Sequence, residues 1–218
     1  MIIDENFFIE TQFLFKKVSK EFIIPNIGNL DKDDISDKSD NSKVTKFDLL
    51  VENELVKFFK SKGFKNIISE ECSSDLVKEK SYLTIDPIDG TRNFINGINK
   101  VVIMVSYIEN ENSIFSIIYE PILELFYHTY KDVIYKDFNK ITHCVYNTHI
   151  GFLGDHAKIY FKNHISDIVE KKRSRSIGYD VIEVIEGKRS FMTIYGSKIW
   201  DLFPAMSNRS LQTVSLNP

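Results

Sequence analysis

The run Asp86-Pro87-Ile88-Asp89-Gly90-Thr91-Arg92-Asn93-Phe94 sets two carboxylates three positions apart just ahead of a Gly-Thr pair. Carboxylate oxygens and main-chain carbonyls are hard donors suited to Mg²⁺, which keeps waters and substrate phosphate in the rest of its octahedron. Asp86, the carbonyl of Ile88 and Asp89 could form such a donor set on one tight turn. Gly90 can take a positive φ, which would let the amides of Gly90 and Thr91 converge on an anion. The same residues also admit a plain structural reading, with Asp89-Gly90 as a hairpin turn and Asp86 as a turn former at a strand end.

Several elements must position this turn. Residues 82–85 are rich in β-branched and apolar side chains and read as a strand delivering Asp86 to a sheet end, while Pro87 stiffens the chain on both sides of that carboxylate. Upstream, Phe7, Ile9, Phe13, Leu14, Val18, Phe22 and Ile23 recur near helical spacing and predict an amphipathic helix over residues 6–24, closed by Pro25 to Gly28. Residues 31–43 are polar and acidic and read as a mobile loop. A second helix is expected from Thr45, with Asp48 as its capping partner; Leu49, Leu50, Leu55, Val56, Phe58 and Phe59 supply its buried face, and Gly63 ends it. A short strand over 66–68 leads into Glu70-Glu71, residues 101–108 and 113–119 form a hairpin, and 125–130 add a strand. The expectation is an antiparallel or mixed sheet with two helices on it, occupying residues 1–141.

Beyond residue 142 strand and helix alternate: a strand over 149–153, a helix over 155–164, a helix over 179–186 stopped by Gly187, and a strand over 191–195 leading to Trp200-Asp201. Residues 142–218 therefore read as a smaller α/β domain that supplies Asp201.

With 218 residues and 43% hydrophobic content the chain can bury a real core, and a net charge of −3 argues against a nucleic-acid polymer as partner. Cys72 and Cys144 lack metal-ligand or disulfide-framework spacing, and the five histidines (128, 143, 149, 156 and 164) are scattered. The N-terminus has no basic leader and no apolar run is long enough to span a bilayer, so a soluble cytoplasmic protein is expected.

The order Val44-Thr45 with Asp48, then Glu70-Glu71, then Asp86 to Phe94, then Trp200-Asp201 resembles the inositol monophosphatase family of Mg²⁺-dependent, lithium-sensitive phosphomonoesterases. The resemblance runs from the first helix to about Met206 and implies a layered αβαβα sandwich. It implies that Glu70, Asp86, the Ile88 carbonyl, Asp89 and Asp201 hold two or three Mg²⁺ ions, with Asp86 bridging. Glu71 stands behind them, and Asp48 with the Thr91 hydroxyl orients and deprotonates the attacking water. Gly90 and Thr91 amides would hold phosphate, and Lys198 and Ser176 would meet the rest of a small phosphorylated metabolite. A homodimer is also implied. Without cations such a carboxylate cluster is unfavourable, because like charges raise one another's pKa. Asp201 equally admits a helix-capping role, and Glu70 and Glu71 a solvated loop.

Three departures qualify the resemblance. Ser69 replaces a customary Gly. Ile194, seven residues before Asp201, replaces the Glu of inositol-preferring members, whereas residues 184–188 and 196–201 look more like the 3'(2'),5'-bisphosphate nucleotidase branch. Members also continue beyond Trp-Asp with a Gly-Gly turn and further strands, so a shortened C-terminal part is expected. An alternative is a catalytically weak relative that works as a binding or regulatory protein.

Overall fold

The computed structural model describes residues 2–39, 41–71, 79–141, 150–160, 169–194 and 198–201, with the side chains of 156, 159 and 160 outside that description. Cys72, Cys144, His143, His149, His164, residues 195–197 and the C-terminal stretch from 202 lie outside it.

Helix α1 (Glu5–Val18) starts at Asp4, whose carboxylate accepts the Phe7 amide at 2.9 Å. It loosens into a π turn (Ser19–Ile23) and tightens into a 3-10 turn (Ile24–Asn26) at Pro25. Its inward face is Phe7, Phe8, Thr11, Phe15 and Val18, and Phe13 instead faces solvent. The stretch expected to be a loop carries a 3-10 turn (Lys32–Asp34) and a small antiparallel hairpin, β1 (Ile35–Asp37) with β2 (Lys43–Thr45). Helix α2 (Lys46–Ser61) begins at Thr45 with the capping box expected: Thr45 Oγ1 accepts the helix-start amides and Asp48 reaches back to Thr45 N. Leu49 and Leu50 are corrected from buried to exposed, because the inward stripe runs through Phe47, Val51, Leu55 and Phe59.

The central sheet has seven strands in the order β3 (Ile67–Ser69), β4 (Ser81–Asp89), β5 (Val102–Glu109), β6 (Asn112–Glu120), β7 (Leu125–Tyr130), β8 (Val133–Lys136) and β9 (Asn139–Lys140). β3 pairs parallel to β4 and every later pair is antiparallel, so the sheet is mixed. Two-residue turns with positive φ, Asn110-Glu111, Lys131-Asp132 and Asp137-Phe138, close the last hairpins and match their twist.

Alternation along the strands divides the core into two layers. Leu83, Ile85, Ile103, Val105, Phe115, Ile117 and Phe126 pack beneath α1 and α2. Val102, Met104, Ile118 and Tyr127 face the other way, against Val181, Ile182 and Ile185 of a helix from later in the chain.

The sequence places the end of β4 at Asp86, and the strand instead continues to Asp89. Asp86 pairs with Met104 and Asp89 with Val102, so β4 carries one extra residue against β5, a bulge at Pro87-Ile88 where a residue without an amide hydrogen is tolerated. Period-two alternation would send Asp86 and Asp89 to opposite faces. The bulge restores both to the Met104 and Val102 side, while Ile85 and Ile88 enter the α1/α2 layer.

After α3 (Thr91–Ile95) and the large sheet come β10 (Ile150–Phe152), α4 (Asp155–Tyr160), β11 (Val169–Glu170), α5 (Ile177–Ile185) and β12 (Phe191–Met192). β11, β10 and β12 form a parallel three-stranded sheet. Helix α5 presses hard on the large sheet, since a Cβ on Gly178 would lie 2.5 Å from Met104 Sδ and from Val102 Cγ2.

Candidate active site

Gly90 sits in the left-handed region (φ 95°) between β4 and α3, and a Cβ there would meet Lys100 O at 2.9 Å. That turn places Thr91 at the first position of α3, where its hydroxyl lies 3.2 Å from Ile88 O and 3.4 Å from Asp48 Oδ1. The other Asp48 oxygen accepts Thr45 N at 2.7 Å and the Thr45 hydroxyl. Asp48 is buried, and desolvation raises its pKa to about 6 against the lowering effect of those Thr45 bonds.

Carboxylate oxygens of Asp86, Asp89 and Asp201 all lie within 4.8 Å of one another. Asp201 reaches the cluster from a helical turn that begins after Lys198, and its Oδ2 accepts Lys198 N at 3.3 Å. Asp201 is the third residue of the turn and caps it from within, by accepting the amide of Lys198 just ahead of it. Burial first, and then Glu70, Asp89 and Asp201, hold the Asp86 carboxyl well above the ordinary range. Burial likewise raises Asp89 to about 7 despite the Ser176 hydroxyl that favours its charge, and raises Asp201 to about 6 with Glu70 adding to the effect. Asp86 Oδ1 is buried without a hydrogen-bond partner among the described residues. Converging oxygen donors, mutually repelling charges and an unpartnered buried oxygen fit a hard divalent cation.

Asp89 is held by the helix that packs on its own face of the sheet. Its carboxylate accepts Ser176 Oγ at 2.7 Å, Gly178 N at 2.7 Å and Ile177 N at 3.2 Å, so the first turn of α5 grips it. Ser176 is buried, and its Oγ also accepts Tyr179 N at 3.2 Å.

Glu70 and Glu71 are joined by Lys38, whose Nζ lies 2.8 Å from Glu70 Oε1 and 2.7 Å from Glu71 Oε1. Burial pushes Glu71 up to about 7, against the lowering pull of Lys38. Sequence reasoning misses Lys38, because it sits in a polar stretch that reads as loop. It misses Glu52 as well: this residue is buried on α2, accepts Glu71 N at 2.9 Å through Oε2, and keeps Oε1 unpartnered. An acidic residue four positions after Asp48, between Val51 and Leu55, is the available signal.

Residues 6–206 match the description "Inositol monophosphatase family". The chain belongs to the inositol monophosphatase family. Among curated family relatives, it is 34% identical over 117 residues to a fructose-1,6-bisphosphatase/inositol-1-monophosphatase of Methanocaldococcus jannaschii, covering 53% of this chain and 46% of that protein. A protein of the same description from Aquifex aeolicus is 25% identical over 195 residues, covering 81% of this chain and 72% of that one. A 3'(2'),5'-bisphosphate nucleotidase of Haemophilus influenzae is 33% identical over 101 residues, covering 44% of this chain and 37% of that one. The chain thus spans about half the length of the first of these relatives.

Among solved structures, an inositol monophosphatase of Thermotoga maritima superposes with TM-score 0.74 at 20% identity, covering 90% of this chain and 79% of that one. A staphylococcal inositol monophosphatase complexed with products gives TM-score 0.76 at 16% identity, covering 96% and 82%. These likenesses establish the family fold, a layered α+β sandwich around a mixed sheet. Among the described residues no helix is long and apolar enough to cross a membrane.

Proposed function

We propose that this chain is a Mg²⁺-dependent phosphomonoesterase acting on a small phosphorylated metabolite. The observation that carries the reading is the convergence of Asp86, Asp89 and Asp201 within 4.8 Å beside an unpartnered buried carboxylate oxygen. Glu70, Asp86, the Ile88 carbonyl, Asp89 and Asp201 are the proposed ligands for two or three Mg²⁺ ions, with Glu71 behind them. A structure similar in fold at 16% identity is an inositol monophosphatase/NADP phosphatase complexed with Mg²⁺ and phosphate. Bound there, the cations would neutralise the crowded carboxylates and make a coordinated water more acidic.

The chain's own residues do the rest. Thr91 has one hydroxyl proton and two acceptors in reach, Ile88 O and Asp48 Oδ1, so it can turn toward Asp48 and present its lone pairs to the attacking water. Asp48, with a pKa near 6, is ionised at neutral pH and basic enough to receive that proton. The amides of Gly90 and Thr91, at the left-handed turn into α3, are the proposed phosphate contacts.

A bisphosphorylated substrate fits better than inositol monophosphate. Ile194 packs against the apolar layer under α5 and offers no polar contact to a sugar ring, and Lys198, exposed next to Asp201, suits a second phosphate. Relatives named for 3'(2'),5'-bisphosphate nucleotidase and for combined fructose-1,6-bisphosphatase/inositol-1-monophosphatase activity supply the candidates, the nucleotide first.

The test is phosphate release from adenosine 3',5'-bisphosphate, fructose 1,6-bisphosphate and inositol 1-phosphate with Mg²⁺, with and without lithium. Turnover of a bisphosphate that vanishes in Asp89→Asn is expected. Mg²⁺ bound normally with no turnover of any substrate would overturn the enzymatic reading and favour a binding role.

A further inference from the structure

Arg189 is 1% exposed and is the largest fully buried side chain among the described residues, yet nothing in the proposed chemistry uses it. Its guanidinium touches both carboxylates on the inner side of α5: Nη2 lies 2.8 Å from Asp180 Oδ1, and Nε meets Glu183 Oε2. It also donates to the carbonyls of Lys172 at 2.9 Å and Lys171 at 3.4 Å, in the segment that enters α5. Lys171 Nζ, 3.0 Å from Glu183, and Arg173 Nε, 3.9 Å from Asp180 Oδ2, bring two further cations to the same pair of acids. A fork that serves two carboxylates and two carbonyls is a task for Arg, which a Lys point charge cannot reproduce.

The network leads to Asp89. Asp180, fully buried, accepts Ser174 N at 3.1 Å. Ser174 Oγ donates to Ser176 O at 2.7 Å and accepts Ser176 N at 3.1 Å, while Ser174 O accepts Asn93 Nδ2 at 2.9 Å. Between these serines Arg175 is held at φ 69°, a left-handed conformation that a non-glycine residue keeps only where its surroundings over-determine it. The turn so fixed presents Ser176 Oγ and the amides of Ile177 and Gly178 to Asp89.

We infer that Arg189, through Asp180 and the Ser174–Ser176 turn, is a positioning residue that sets the orientation of Asp89 as a metal ligand. The inference rests on the metal-centre reading above. Partners that orient a ligand are worth about 10-fold to 100-fold in metal affinity.

The experiment compares wild type, Ser174→Ala and Arg189→Lys, each checked for folding by circular dichroism. Mg²⁺ affinity is measured by calorimetry, and amide exchange at Ile177 and Gly178 is followed in the metal-free protein. Ser174→Ala breaks the turn and leaves the ion pairs intact; Arg189→Lys keeps the charge and loses the fork. Both variants should bind Mg²⁺ about tenfold more weakly and lose protection at the two amides. Their KM for p-nitrophenyl phosphate at saturating Mg²⁺ should stay unchanged. Wild-type affinity and protection in folded Arg189→Lys would overturn the inference and leave Arg189 a stabilising residue only; if Arg189→Lys does not fold, Asp180→Asn, which weakens the link from the guanidinium to Ser174 N, decides by the same two readouts. If the wild type takes up no Mg²⁺, the metal-centre reading fails, and the amide exchange alone decides whether the turn orients Asp89.

Discussion

Gly178 N donates to Asp89 Oδ2 at 2.7 Å, joining the end of β4 to the first turn of α5. A carboxylate at a helix start is favoured by the helix dipole and by amides that lack partners of their own. Asp89 therefore depends on how closely α5 lies on the sheet.

Gly178→Ala tests that dependence. The added methyl would meet Met104 Sδ and Val102 Cγ2 at 2.5 Å, and overpacking of this kind costs about 1–3 kcal/mol. Urea denaturation should show the loss. Calorimetry should show weaker Mg²⁺ binding, because the helix start lifts away from Asp89; unchanged Mg²⁺ affinity in a folded variant would contradict the coupling.

Asp48 sets an acid limit on turnover. A base must be unprotonated, so activity at saturating Mg²⁺ should rise with pH through about 6 and level off above it. Asp48→Asn should lose about 10²-fold to 10⁴-fold in kcat and abolish that limb. A limb that persists in the variant would assign it to another group.

Metal removal should be felt more at pH 8 than at pH 5.5. The folded-state pKa values of Asp89, about 7, and Asp201, about 6, lie above the ordinary 3.8. The unfolded chain releases these protons first, so the metal-free protein loses stability as pH rises from about 4 to 7. Mg²⁺ replaces the protons, so its affinity grows over the same range. Melting temperatures with EDTA and with Mg²⁺ at both pH values provide the check; equal shifts at the two would count against carboxylate ligation.

His128 acts in the opposite sense. Its ring is buried and stacks with Phe8 at 4.3 Å and Tyr135 at 4.8 Å, and burial lowers its pKa from 6.5 to about 4. Its contribution is full above pH 6.5 and declines as pH falls toward 4, by up to about 3 kcal/mol. The stability difference between wild type and His128→Phe, from urea denaturation at pH 7 and at pH 4.5, should shift in favour of the variant at the lower pH.

Local signals are readable from the chain. The Thr45 and Asp48 capping box, the αL glycine at position 90 and the hairpin of β5 and β6 depend on neighbours a few residues away. Strands β8 and β9 escape notice because Lys131-Asp132 and Asp137-Phe138 turn with positive φ and no glycine to announce it. Apolarity alone points Leu49 and Leu50 inward, although the phase of α2 puts them outside. The grip of Ser176 on Asp89 joins residues 87 positions apart, and no spacing rule reaches that far. Arg189 would ordinarily be placed on a surface, and only the fold reveals the two acids that enclose it.

The extra residue of β4 at Pro87-Ile88 makes the length of that stretch as consequential as its composition. Deleting Ile88 would close the bulge; strict alternation would still hold both carboxylates on the Met104 and Val102 side, but a buried side chain of the α1/α2 layer and the carbonyl 3.2 Å from Thr91 Oγ1 would be lost. The bulge thus does two tasks at once, aiming two acids one way while sending Ile88 the other.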